Sequence, residues 1–139
     1  MGGHALQSCR DLFSIPEAGF STSPAVIAER PFVVKGMIRA LLRGVMVARH
    51  SKQETLDSIL RHNHFINREL ATLAYDEVHK EWGPVLDFDA YQRKVDFYTS
   101  EWKLPKKPVS DYYNFKYLKE ALDELGLLHT WDAKMDFKG

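Results

Sequence analysis

The apolar residues after Pro31 recur with the period of an α-helix, and this period constrains the fold more than any other sequence feature. Pro31 suits the first helical position, because the amide hydrogen that proline lacks has no intrahelical partner there. Steps of four and three place the following side chains on one helical face: Val34, Ile38, Leu41, Val45 and Ala48. Three more widen this face: Met37, Leu42 and Met46. The pattern predicts a helix that begins at Pro31 and packs through one face.

Similar signals predict four further helices. Ser51 and Glu54 have the spacing of a capping box, in which each side chain satisfies a backbone amide of the other. Asn67 and Asp87 are good N-caps, and each precedes a helical pattern. The stripe of the fourth helix is largely aromatic: Phe88, Tyr91, Val95, Tyr98 and Trp102. After the proline-bearing linker "KLPKKPVS", a fifth helix ends at Gly126.

The first thirty residues differ, because turn residues separate short apolar pieces there. We expect weak strand or extended structure near residues 5–6 and 20–27. The predicted fold class is therefore mostly α with a short β-containing amino-terminal segment, an α+β arrangement with about five helices. We expect a single domain over residues 1–139, extended or strand-like in 1–30, helical in 31–128, and a tail in 129–139.

Charge and cysteine content narrow the classes of function. Nineteen basic residues balance nineteen acidic ones, so no overall field attracts a polyanion, and we expect no nucleic-acid partner. Cys9 is the sole cysteine and is best interpreted as a small hydrophobic residue. No apolar run reaches the roughly 20 residues of a membrane-spanning helix, and the first residues lack a secretory leader. We therefore expect no membrane insertion and a cytoplasmic chain as written.

Few residues point to chemistry. The sequence has no nucleotide-binding glycine loop, no nucleophile elbow and no paired metal-ligand motif, so we predict no enzyme, no catalytic residue, no cofactor and no metal site. Lys35, Arg39 and Arg43 form a basic ladder that could bind phosphate, but a charge spread along one helix favours a solvent-facing surface. The aromatic stripe of the fourth helix could stack a ligand, although its regular spacing favours the core.

The order of these patterns resembles a known family. The stretch "GFSTSPAVIAERPFVVKGMIRALLRGVMVAR" is similar to part of the type-2 periplasmic solute-binding proteins of ABC transporters, in the group for nitrate, sulfonates and thiamine-pyrimidine precursors. Seven residues stand at the positions of that pattern: Pro31, Val34, Ile38, Ala40, Leu41, Gly44 and Ala48. The following "ETLDSILRHN" resembles the family's helix that ends in a short tip containing lysine or arginine. The segments "FINRELATLAYDEV" and "DFDAYQRKVDFYTSEWKLPKKPVSDYYNFKYLKEALDELGL" resemble its closing helices. The likeness runs from about Ser8 to Leu128.

This resemblance implies the carboxy-terminal part of a two-lobed receptor that is exported in full-length members and acts in transport. Its ligand contacts would fall on Phe20, Ser21, Thr22 and Ser23, and its ligand would be a sulfonate, nitrate or a pyrimidine-type compound. A partial lobe leaves apolar faces and strand edges uncovered, so we expect a homodimer, with or without swapped elements. The alternative is a standalone helical module for protein interaction or oligomerisation without a retained pocket.

Overall fold

A computed structural model describes residues 19–84 and 87–128. Six α-helices lie in these ranges: α1 (Pro24–Glu29), α2 (Pro31–His50), α3 (Lys52–His62), α4 (Arg68–Val78), α5 (Phe88–Glu101) and α6 (Lys116–Glu124). Two short 3-10 turns, His79–Glu81 and Val109–Asp111, follow α4 and precede α6. Within the described part of the chain, no helix is both long and apolar enough to cross a lipid bilayer.

The described residues fall into two compact units. The α2 unit contains Ser23–Pro84 and residues 116–128, and therefore includes α1 to α4 and α6. The α5 unit contains residues 19–22 and 87–115. The expected single domain over residues 1–139 extends beyond the described residues and stays a prediction.

The predicted β-containing segment is wrong over the residues that can be compared. Residues 20–23 are irregular, α1 follows directly, and no strand occurs in residues 19–84 or 87–128. The fold class is therefore helical, with six helices rather than about five. The Ser23 hydroxyl accepts a hydrogen bond from the Val26 amide at 3.3 Å, and Pro24 fills the first turn. This capping stabilises a helix here, although the β-branched residues of the segment favour a strand. The strand expected near residues 5–6, Cys9 and the tail 129–139 lie outside the described residues.

The core of the α2 unit lies between α3 and α4. Leu56, Ala71 and Tyr75 are buried there, and four partly buried residues pack around them: Ile59, Leu60, Ile66 and Trp82. The ring of Tyr75 stacks on His79, with centroids 4.6 Å apart and planes at 5°. Tyr75 also donates its phenolic hydrogen to the Arg49 carbonyl at 3.3 Å, which ties α4 to the end of α2. A buried tyrosine with a bonded hydroxyl fixes one packing arrangement.

The sixth helix packs against α2 although it lies far along the chain. Ala121 and Leu122 are fully buried on α6, and Leu42 is buried on α2. Gly126 has φ of 67°, and Leu127 donates its amide hydrogen to the Leu122 carbonyl at 2.8 Å. This left-handed glycine ends α6 as the sequence predicted, because glycine adopts that conformation without a steric penalty.

The α5 unit is built on aromatic contacts. Phe88 meets Phe115 edge to face at 4.9 Å, and Tyr91 lies 4.6 Å from Tyr113 between ring centroids. Burial raises the pKa of the Tyr91 hydroxyl above its ordinary value, with a smaller contribution from Tyr113. Gln92 holds the following linker, because its side-chain oxygen accepts the Val109 amide hydrogen at 2.8 Å. The amino-terminal half of the aromatic stripe is therefore packed, as the sequence favoured.

Candidate functional site

The four predicted ligand contacts lie next to one another in the irregular segment before α1. All four are exposed, and Phe20 is among the most exposed apolar side chains described. The Ser23 hydroxyl accepts the hydrogen bond that caps α1. Residues 20–22 belong to the α5 unit, whereas Ser23 belongs to the α2 unit. Neither of the two pockets described below is lined by these residues, and ligand binding at residues 20–23 stays a prediction.

The outer face of α2 carries an apolar stripe that is exposed rather than packed. Its five members recur at steps of four, three, four and three, and we call them the outer stripe: Val33, Met37, Ala40, Gly44 and Val47. Val33, Met37 and Val47 keep 46%, 53% and 45% of their surface exposed. Phe32 beside the stripe is also exposed. An apolar row with the spacing of a coiled-coil seam is typical of a helix that packs against another helix.

Two glycines leave notches on this face of α2, Gly44 within the outer stripe and Gly36 beside it. A Cβ atom added at Gly36 or at Gly44 would meet no atom within 4 Å. Neither glycine is therefore required by a neighbour inside the described structure. Each costs roughly 1 kcal/mol of helix propensity relative to alanine. The notches lower the surface of α2 where another helix could approach closely.

The basic ladder is divided between two environments. The Lys35 ammonium contacts carboxylates of Glu120 at 3.0 Å and of Glu124, and Arg39 contacts Glu124 at 3.2 Å. Hydrogen bonding to Lys35 lowers the pKa of Glu124, and the same bond raises the pKa of Lys35. No ion pair joins Arg43 to another described residue. The ladder lies on an exterior face as expected, since Arg39 and Arg43 are exposed and Lys35 is partly exposed. Two of its three cations also pair with carboxylates of α6.

A second candidate site is an apolar groove in the α5 unit with a volume of about 340 Å³. Its floor includes the buried residues Val95 and Thr99, and its walls are aromatic or aliphatic: Tyr98, Trp102, Leu104, Tyr112 and Tyr113, with Lys94 also in the lining. Trp102 is 66% exposed. The carboxy-terminal half of the aromatic stripe therefore lines a groove instead of lying in the expected core. The volume of this groove is at the lower end of the range for ligand pockets.

A shallow depression on α3 and α4 is weaker as a candidate. It is lined by residues including Lys52, Asp57, Arg61 and Arg68. Arg68 pairs with Asp57 at 2.5 Å, and Lys52 pairs with Asp76 at 2.6 Å. Because these exposed charges largely satisfy each other, the depression offers little charge to a ligand.

No metal-binding cluster appears in the described ranges. No group of three or more His, Cys, Asp or Glu side chains within residues 19–84 and 87–128 converges in a way that could hold a metal ion. His62 and His79 each bond a backbone carbonyl four residues earlier, at 2.8 Å. Their imidazoles are therefore engaged in helix-end hydrogen bonds.

The chain matches no protein-family model, and neither the comparison with curated proteins nor that with solved structures finds a match. The resemblance to solute-binding proteins therefore stays a hypothesis that rests on the sequence patterns alone.

Sequence reasoning placed Met37 with the core and did not identify the outer stripe. The signal was present, since Val33, Ala40 and Val47 have helical spacing with Met37 and Gly44. Helix α2 carries two apolar stripes, and only one of them is buried. Which one is buried depends on the face of α2 on which α6 packs. That choice is non-local and cannot be derived from the period of α2.

Proposed function

We propose that this chain is a helical self-association module that pairs with a second copy through the outer stripe of α2. The exposure of this regular apolar row carries the proposal. Single exposed apolar side chains are common on proteins, but a continuous row on one helix is typical of an interface. Burying the row against a second copy removes its apolar surface from water, and this transfer drives association.

The size of the surface sets the expected strength. The outer stripe covers 14 residue steps, or about 21 Å of helix at 1.5 Å per residue. A strip of that length and about 10 Å width is smaller than the roughly 800 Å² that each partner contributes to a typical stable interface. We therefore expect a dimer with micromolar rather than nanomolar affinity.

Replacing Met37 with glutamate tests this function directly. Met37→Glu places a charge in the centre of the stripe, where a second copy would have to desolvate it. We expect the mass from light scattering at about 100 µM, well above a micromolar Kd, to fall from two chains for the unaltered protein to one for this variant.

Leu73→Glu is the matched control, because Leu73 is similarly exposed but lies on α4. We expect this variant to keep the dimeric mass. A mass of one chain for the unaltered protein at this concentration contradicts the proposal. An equal loss of dimer in both variants would instead indicate non-specific apolar association.

The aromatic groove of the α5 unit supports a second candidate function, the binding of a planar pyrimidine-type ligand. Stacked rings favour a flat aromatic compound over nitrate, which needs polar donors that the apolar walls do not supply. This second candidate keeps the pyrimidine-type ligand implied by the solute-binding resemblance. It places the binding site in the groove and not at residues 20–23.

Thermal-shift measurements with pyrimidine-type compounds test the groove. We expect a rise in Tm that Trp102→Ala removes and Phe97→Ala preserves. Phe97 is an exposed aromatic residue of the same helix that does not line the groove. No shift with any of these compounds, or a shift that survives Trp102→Ala, would contradict binding in the groove.

A further inference from the structure

We infer that the two copies of α2 pair antiparallel about a two-fold axis at Ala40, so that Met37 of each copy lies over Gly44 of the other. This inference rests on the proposed self-association and specifies its geometry. A two-fold interface uses one patch twice, so the patch must be complementary to itself. The outer stripe has this property in one direction only.

The spacing of the stripe is close to symmetric about its middle residue. Val33 and Val47 lie seven residues to either side of Ala40, and Met37 and Gly44 lie three and four residues away. Reversing one helix therefore brings Val33 opposite Val47. It also brings Met37 within one residue, about 1.5 Å along the axis, of the level of Gly44. Ala40 meets its own copy, where two methyl groups permit a short distance between the helix axes.

Side-chain size favours this direction over the parallel one. In the antiparallel pair, the long and flexible Met37 side chain enters the space that no atom fills beside Gly44, and both such contacts form at once. In a parallel pair, Met37 would face Met37 and Gly44 would face Gly44. One layer would then be overfilled and the other would leave a cavity, and each of these defects is destabilising.

Cysteine cross-linking distinguishes the two directions. In a Cys9→Ser background, the variants Met37→Cys and Gly44→Cys are prepared separately and oxidised alone or mixed. Disulfides require Cβ atoms about 3.5–4.5 Å apart. We expect efficient cross-linking only in the mixture. Efficient cross-linking of Met37→Cys with itself would overturn the antiparallel geometry.

A third variant separates failure of the geometry from failure of the proposed function. Ala40→Cys lies at the centre of the stripe and should cross-link with itself in either direction. If it cross-links while the mixed pair does not, self-association through α2 stands and the antiparallel geometry is wrong. If none of the three cross-links and the unaltered chain has a monomeric mass, the proposed function fails as well.

Gly44→Ala tests the contact by its opposite effects on monomer stability and on dimer affinity. A glycine with no role in the dimer would change only the stability of the monomer. The added methyl meets open space within one chain, and alanine is the better helix former, so we expect the monomer to unfold at a higher denaturant concentration. The same methyl blocks the seat of Met37 in the second copy, so we expect the dimer Kd to rise at least about tenfold, which is 1.4 kcal/mol. A variant with unchanged or tighter association would contradict the inferred contact.

Discussion

Leu122 has no exposed surface, and it is the largest described side chain buried to this degree. Replacing it with alanine leaves a cavity between α6 and its neighbours and removes apolar contacts. We expect Leu122→Ala to lower the free energy of unfolding by about 2–5 kcal/mol. Urea denaturation followed by circular dichroism measures the change.

Leu73→Ala serves as the control for this substitution, because Leu73 is 62% exposed. We expect its free energy of unfolding to stay within about 0.5 kcal/mol of the unaltered protein. Similar losses for the two leucines would mean that α6 does not pack as described.

The Lys35–Glu124 ion pair gives the stability of the chain a defined pH dependence. Hydrogen bonding to Lys35 lowers the pKa of Glu124 from its ordinary 4.5. The ionised carboxylate thus favours the folded chain, and its contribution is present above pH 4.5 and is lost as pH falls through the lowered pKa. The pKa of Lys35 is raised above 10.5, so its contribution is present below pH 10.5 and disappears as pH rises through the raised value.

Comparison with Glu124→Gln isolates this contribution. We expect the variant to unfold at a lower urea concentration than the unaltered chain at neutral pH. The gap should close as the pH falls below 4.5 and through the lowered pKa of Glu124, where the carboxylate is neutralised. Glu77→Gln, at an exposed position on α4, should show no comparable gap at any of these pH values. A gap for Glu124→Gln that does not change with pH would contradict an electrostatic role.

At the scale of single elements, the start of α4 is held by one side chain. The Asn67 side-chain oxygen accepts the Leu70 amide hydrogen at 2.9 Å. Asn67→Ala removes this cap, and we expect a loss of about 1 kcal/mol in the free energy of unfolding. Ser51 precedes α3 but makes no side-chain capping bond, so Ser51→Ala should have a clearly smaller effect. Thermal or urea unfolding of the two variants provides the comparison, and equal losses would contradict it.

Helix positions were predictable where the signal is local. Pro31, Asn67 and Asp87 begin helices α2, α4 and α5 as expected, since each acts through neighbours within one turn. Ser51 shows the limit of such signals. Thr55 donates its hydroxyl hydrogen to the Ser51 carbonyl at 2.9 Å, and the predicted capping box does not form. Helix α1 was not predicted, although Ser23 caps it and Pro24 fills its first turn.

The candidate surfaces depended on information that the local sequence does not contain. Lys35 and Arg39 were expected to lie on an exterior face, and their ion pairs with Glu120 and Glu124 were not predicted, because these partners lie in a different helix more than 80 residues later. The acidic residues of "KYLKEALDELG" were likewise expected to face water. Ion pairs between distant helices can be predicted only when the packing of those helices is known. Exposure of the outer stripe follows from the same topology.

At the scale of the whole molecule, the structure predicts a helical spectrum. The described residues form helices, turns and irregular segments without a strand. We expect far-UV circular dichroism dominated by the α-helical minima and an infrared amide I band without a sheet component. A sheet component would indicate that residues outside the described ranges form strands, as a lobe of the solute-binding family requires. Recording the spectra above and below the dimer Kd separates folding from association.

The return of α6 to α2 has a consequence for synthesis on the ribosome. Arg39 and Glu124, which join these helices, are 85 residues apart. The ribosome adds roughly 5–20 residues per second, so α2 is exposed for several seconds before its partner has been made. During that interval both the inner face of α2 and the outer stripe are uncovered. Nascent chains on neighbouring ribosomes could then meet through α2 before either has completed its own core, which makes this helix the point where premature association would begin.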